Sequence, residues 1–172
     1  MTPEYTSEDI RFMAEAIALA NQAAALGEVP IGCVITKDGE IVGRGYNRRE
    51  TGKTALGHAE LMAIEDACRK LGGWRLWQCR LYVTLEPCPM CAGAIINARI
   101  PVVVYGAKDP KAGSVGSITD LFSMPYNHHP QVISGVMETE CAGLLRDFFR
   151  SLRIRKKSGE TPANIDKSTF SG

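Results

Sequence analysis

One histidine, His58, a glutamate two places on, Glu60, and a Cys-x-x-Cys pair, Cys88 and Cys91, fall within residues 57–95. Cys88 stands between Pro87 and Pro89, and proline favours the first helical position. The two thiols therefore occupy a helix start, three positions apart and on one face. The positive end of a helix favours thiolate, the form that binds metal. Such a pair alone also suits a dithiol redox motif or half of a four-cysteine structural zinc site. A redox pair needs no histidine, and a structural site needs a fourth protein ligand. His58, 30 residues before Cys88, is the nearest candidate for a third ligand. If a strand over 80–85 lies between the helices that start near His58 and near Cys88, both N-termini emerge at one end of the sheet. Three donors then converge and one position stays open, the arrangement of catalytic zinc. Residues two apart diverge inside a helix, so Glu60 joins this group only if His58 sits in a non-helical turn, which Gly57 permits. Thr84 and Glu86 are further polar residues nearby, read as structural: one lies in a buried strand, the other precedes a proline.

The elements that must position these groups follow from pattern. Thr6 to Asp9 has capping-box spacing, and a helical period runs from Ile10 to Gly27. Two β-rich runs, Ile31 to Thr36 and Ile41 to Tyr46, flank Asp38-Gly39, a hairpin signal. A helix from about His58 to Leu71 stops at Gly72-Gly73, a strand spans 80–85, and the Pro-Cys-Pro helix runs to about Ala98. A strand "PVVVYG", a Gly-rich loop with a short helix at Ser117 to Phe122, a strand at Gln131 to Ile133 and an amphipathic helix from Glu140 to Arg155 complete the series. Strands alternating with helices predict a three-layer α/β/α sandwich whose mixed five-stranded sheet combines an antiparallel hairpin with parallel crossovers. Residues 1–157 read as a single domain and 158–172, polar with little to bury, as a disordered tail.

Composition bounds the setting. The chain of 172 residues is 45% hydrophobic and 23% charged, as for a globular domain with a core of its own. Its N-terminal stretch is acidic and lacks an apolar run, so neither a secretory signal nor a membrane span is expected, and the cytoplasm is the expected compartment. Six irregularly spaced cysteines then read as reduced thiols or ligands, with Cys33, Cys68, Cys79 and Cys141 as free buried thiols. The net charge of +1 conceals one basic run: six cations between Arg146 and Lys157 against the single acid Asp147. A solvated helix end and a phosphate-binding face both account for such a run.

The His-Ala-Glu at 58–60 together with Pro-Cys-Pro-Met-Cys at 87–91 resembles the zinc-dependent nucleoside deaminases. The likeness covers nearly the whole chain. "VTLEPCPMCAGAI" followed by "GAKDPKAGSVGS" is similar to the tRNA adenosine deaminases of that superfamily, which convert the wobble adenosine of an anticodon to inosine. The resemblance implies a cytidine-deaminase-like fold. It implies a Zn²⁺ in each subunit, held by His58, Cys88 and Cys91, with an activated water that attacks C6 of adenine. Glu60 becomes a non-ligand that shuttles the proton to N1. Asn47 would bind the flipped base and Asp109 the ribose. Lys111, Phe149 and Arg153 would touch flanking nucleotides or phosphates, and Asn127, beside His128, falls in a loop of similar placement. His129 is read as an exposed bystander. The implied partners are a tRNA anticodon stem-loop and a second copy of the chain, whose loops help to form the RNA site. Plainer uses compete: Asn47 as a turn cap, Asp109-Pro110 as a simple turn, Phe149 as core. A free-base guanine deaminase is the rival enzyme, with no need of the basic helix or the "GAKDPKAG" loop. A nucleic-acid-binding module with structural zinc is the rival of another class. It would require a fourth ligand, for which Cys68 and Cys79 are the candidates.

Overall fold

A computed structural model describes residues 4–159. Helix α1 (Ser7–Ala25) opens on the expected capping box: Thr6 Oγ1 accepts from the Asp9 amide at 3.2 Å, and the Asp9 carboxylate accepts from the Thr6 amide at 2.8 Å. Strands β1 (Gly32–Lys37) and β2 (Glu40–Tyr46) are joined by Asp38 and Gly39 at φ 51° and 76°, the paired positive values of a type I′ turn. Then follow α2 (Ala59–Leu71), β3 (Cys79–Leu85), α3 (Pro89–Ala98), β4 (Val102–Ala107), β5 (Gln131–Ser134) and α4 (Glu138–Lys157).

The sheet order is β2-β1-β3-β4-β5, with β1 antiparallel to β2 and β3, and β3, β4 and β5 mutually parallel. Alternate residues feed two cores. Cys33, Ile35, Leu81, Val83 and Val103 face α2 and α3, whereas Val34, Tyr82 and Val104 face α1 and Cys141 of α4. Both faces are thus covered by helices, which gives the expected three layers.

Two details set the position of α2. It carries a stripe of small residues, Ala59, Ala63 and Ala67, all fully buried. Opposite them β2 presents Gly43 and Gly45, where a Cβ would strike the backbone carbonyls of Ala63 and Ala59. The helix therefore rests against the strand at backbone distance, which fixes the height of its N-terminus over the sheet edge.

Three expectations change. Ser117 to Phe122 is not a helix; a single 3₁₀ turn spans Leu121–Ser123. The Ser117 amide and hydroxyl donate to Glu86, and Val115 bridges Asp120, so those backbone groups are committed elsewhere. The last helix is longer than its apolar pattern at both ends, where Glu138 and Glu140 suit its positive start and Arg155, Lys156 and Lys157 its negative end. Cys68 is half-buried instead of buried, its thiol 3.9 Å from the Trp74 carbonyl. Of the expected tail, Ser158 caps α4 and Gly159 turns away at φ 79°, while 160–172 lie outside the described residues.

Candidate active site

The register fixes which loops meet. Leu85 pairs with Ala107 at the ends of β3 and β4, and Tyr46 at the end of β2 pairs with Gly32. Since β2, β3 and β4 point the same way, Asn47, Cys88 and Asp109 leave the sheet at one edge. Helix α2 runs opposite to β3, so His58 at its start comes to that edge too. His58 is the N-cap of α2, with φ −83° and ψ 147°, the non-helical turn that lets it and Glu60 face one point. Cys88 is the N-cap of α3, and Cys91 lies in its first turn.

His58 Nδ1 lies 3.5 Å from Cys88 Sγ and 3.5 Å from Cys91 Sγ, and all three donor atoms are within 4.8 Å of one another. Zinc bonds of about 2.0 Å to nitrogen and about 2.3 Å to sulfur, meeting at a tetrahedral angle, separate such donors by about 3.6 Å. The donor set and its spacing therefore fit zinc. It is the only such cluster of three among the described residues, and neither Cys68 nor Cys79 belongs to it.

Charge in this pocket is shaped by burial and by the thiols. The Cys88 thiol is lowered to about 4, first because Cys91 donates to it, with the His58 ring contributing against the opposing effect of burial. The Cys91 thiol is raised, first by that same hydrogen bond and then by burial. The Cys88 sulfur raises His58 against burial, and the Glu60 carboxylate adds to the rise. Burial pushes Glu60 up to about 7, with His58 pulling the other way. Glu60 is 4% exposed, in the first turn of α2. A carboxylate so poised can both take and return a proton near neutrality.

Around this centre stand two loops. Asn47 Nδ2 donates to the Val29 carbonyl at 3.2 Å, and its Oδ1 accepts from the Arg49 amide at 3.1 Å. Asp109 Oδ1 accepts from the Lys111 and Ala112 amides at 3.0 and 3.2 Å, so Asp109 also builds its own turn. Lys111 is exposed. Asn127 is exposed on a stretch whose neighbour His128 bonds the Ile100 carbonyl at 2.7 Å, where β4 begins and opposite the metal edge. His129 is exposed, and its Nδ1 lies 2.8 Å from the Phe122 carbonyl, so it is tethered. Phe149 is half-buried against Phe148, with centroids 5.6 Å apart, and Arg153 is exposed; both lie far along α4 from Cys141, its one fully buried residue.

Two further buried acids, Glu28 and Glu86, hold loops around the site. Glu28 accepts from the amides of Glu50 and Thr51 at 3.3 and 2.6 Å, bracing the loop that leads to His58. Glu86 accepts four bonds from residues 109–117. Glu86 lies inside the stretch "VTLEPCPMCAGAI", but no pattern at either glutamate names its partners, which include backbone amides more than 20 residues away.

Residues 6–107 match the cytidine and deoxycytidylate deaminase zinc-binding region. The chain is 50% identical over 153 residues to the tRNA-specific adenosine deaminase of Bacillus subtilis (strain 168), covering 88% of this chain and 95% of that protein. A structure solved in a study of A-to-I editing by tRNA:A34 deaminases at the wobble position aligns with a TM-score of 0.76 and 47% identity, over 78% of this chain and 99% of the other. A guanine deaminase from Nitrosomonas europaea aligns with a TM-score of 0.69 at 23% identity, over 84% of this chain and 85% of that one, which is likeness of fold alone.

Proposed function

The chain belongs to the cytidine and deoxycytidylate deaminase family and, within it, to the tRNA-specific adenosine deaminases, and from that premise we propose that it hydrolyses the wobble adenosine of a tRNA anticodon to inosine, releasing ammonia. The observation that carries the proposal is one nitrogen and two sulfur donors at zinc spacing beside a buried glutamate. Bound by His58, Cys88 and Cys91, zinc would lower the pKa of a water to roughly 7 and so supply a nucleophile at neutral pH.

The remaining roles belong to the chain. Glu60 accepts the proton of the attacking water, delivers it to N1 as C6 is attacked, and serves the departing ammonia in the same way; such general acid–base work is worth about 10² to 10⁴ in rate. An anticodon loop presents its bases unpaired, so extruding one into a recessed site costs little. Asn47 meets the flipped base with the amide hydrogen not directed at Val29, its orientation supported by its two backbone bonds. Asp109 binds the ribose and Lys111 an adjoining phosphate. We assign Asn127, Phe149 and Arg153 to outlying contacts with the RNA, from the same subunit or its partner.

We also propose a homodimer. The sequence of α3, PMCAGAIINA, is apolar except for the exposed Asn97, yet Met90, Gly93 and Ala94 are not fully covered by the chain itself. A helix this apolar is normally buried on more than one face. Residues 1–157 form the single deaminase domain in this reading, and its tRNA and reduced cysteines suit the cytoplasm. No helix among the described residues is long and apolar enough to cross a membrane.

The test is inosine and ammonia release by the zinc-loaded protein given an anticodon stem-loop with a wobble adenosine, alongside free guanine, cytidine and adenosine. Inosine from the stem-loop only is expected. Xanthine from guanine with an untouched stem-loop would overturn the substrate assignment.

A further inference from the structure

Glu86 is 2% exposed, and no step above uses it. Its carboxylate accepts four hydrogen bonds, all from one loop. Oε1 takes the Asp109 amide at 3.3 Å and the Ser117 hydroxyl at 2.5 Å; Oε2 takes the Val115 and Ser117 amides at 3.3 and 3.1 Å. Among the described residues no cation forms an ion pair with it. A buried carboxyl group without a cation is costly unless hydrogen bonds replace its water, and here one loop provides all of them.

The arrangement does more than fill a gap. The loop closes on the carboxylate so tightly that a Cβ at Gly113 would collide with Glu86 Oε2 and the Asp109 carbonyl. Next in sequence, the Pro87 carbonyl accepts from the Ser114 amide at 2.9 Å, and after it comes Cys88 of the donor cluster. A single residue, Pro87, therefore separates the anchor of the loop from a metal donor. Beyond the anchor, Asp109 turns back so that its Oδ1 accepts from Lys111 and Ala112. The position of the Asp109–Lys111 turn relative to the donor cluster is set through Glu86.

We propose that Glu86 is a positioning residue for substrate recognition: by gripping the 109–117 loop it places Asp109 at the ribose of the target adenosine and so sets the preference for RNA over DNA. This rests on the assignment of Asp109 to the ribose made above. A group that merely stabilised the fold would alter stability or zinc content and leave sugar discrimination alone.

Glu86→Gln turns one acceptor oxygen into a donor facing N–H groups. It is compared with wild type for zinc content, kcat and KM on two stem-loops that differ only in the 2′-hydroxyl of the target adenosine. Zinc content should stay the same, KM on the ribose substrate should rise about tenfold, kcat should change by less than about threefold, and the ribose preference should fall about tenfold, the scale of a lost buried hydrogen bond. Ser117→Ala removes one of the four bonds and should shift KM and preference the same way by less; it carries the test if the glutamine variant does not fold. Wild-type KM and preference in whichever variants fold, or loss of zinc and kcat with preference intact, would overturn the proposal. Asp109→Ala is the control. A preference lost in Asp109→Ala and kept in Glu86→Gln refutes the positioning role alone, whereas a preference kept in Asp109→Ala refutes the ribose role of Asp109 and, with it, the route proposed for Glu86.

Discussion

At the scale of single residues, the site sets three metal donors beside one buried acid. His58, Cys88 and Cys91 converge as donors, while Glu60 sits buried beside them with its carboxyl raised to about 7 by burial. Glu60→Ala should therefore retain zinc and lose at least about 10² in kcat, checked by metal analysis and single-turnover inosine formation. Turnover at the wild-type rate would remove Glu60 from the reaction. The choice of His58, Cys88 and Cys91 as donors was legible in the sequence, because few residue types bind zinc and they recur at set spacings. The anchoring role of Glu86 was not, since nothing in the linear pattern names the loop it binds until that loop is folded around it.

At the scale of elements, close packing decides whether those atoms meet. A methyl group at Gly45 would strike the Ala59 carbonyl next to His58. Gly45→Ala should cost about 1–3 kcal/mol in stability, as overpacking does, and should lower zinc affinity by displacing the start of α2. Denaturant melts and a competitive zinc titration would show both effects. A second element-level tie joins α1 to β3: Asp9 Oδ1 accepts from Arg80 at 2.8 Å and from Tyr82 at 3.0 Å. Burial opposes the charge on Asp9, but the Thr6 amide, Tyr82 and Arg80 outweigh it and hold its pKa below the usual 3.8. A depressed folded-state pKa stabilises above the unfolded value and loses that contribution as pH falls through the folded one. Asp9→Asn should thus cost about 1–3 kcal/mol at neutral pH, and its deficit against wild type should shrink below about pH 4. Equal deficits at pH 7 and pH 3 would contradict this.

At the scale of the whole molecule, the outer faces of α3 and α4 point to two kinds of partner. A Cβ at Gly93 meets nothing within 4 Å among the described residues, so Gly93→Arg has room to start and places a charge beside Met90 and Ala94 on the outer face of α3. Sedimentation should find a dimer for wild type and a monomer for the variant; a monomeric wild type at micromolar concentration would end the dimer proposal. Arg153, exposed near the end of α4, should be one of several phosphate contacts. Arg153→Ala should reduce the slope of log affinity for tRNA against log salt by about one unit, and an unchanged slope would leave α4 a solvated helix.

Donor types, caps, the Asp38-Gly39 turn and the order of helices and strands were readable along the chain, because each depends on neighbours a few residues apart. Whether His58 faces Cys88 across 30 residues, which loop Glu86 and Glu28 brace, and that Asn127 lies at the edge away from the donors depend on strand order, register and helix packing. These are non-local choices. They follow from burying two apolar faces of one sheet at once, and a linear pattern records that a residue is buried without recording against what.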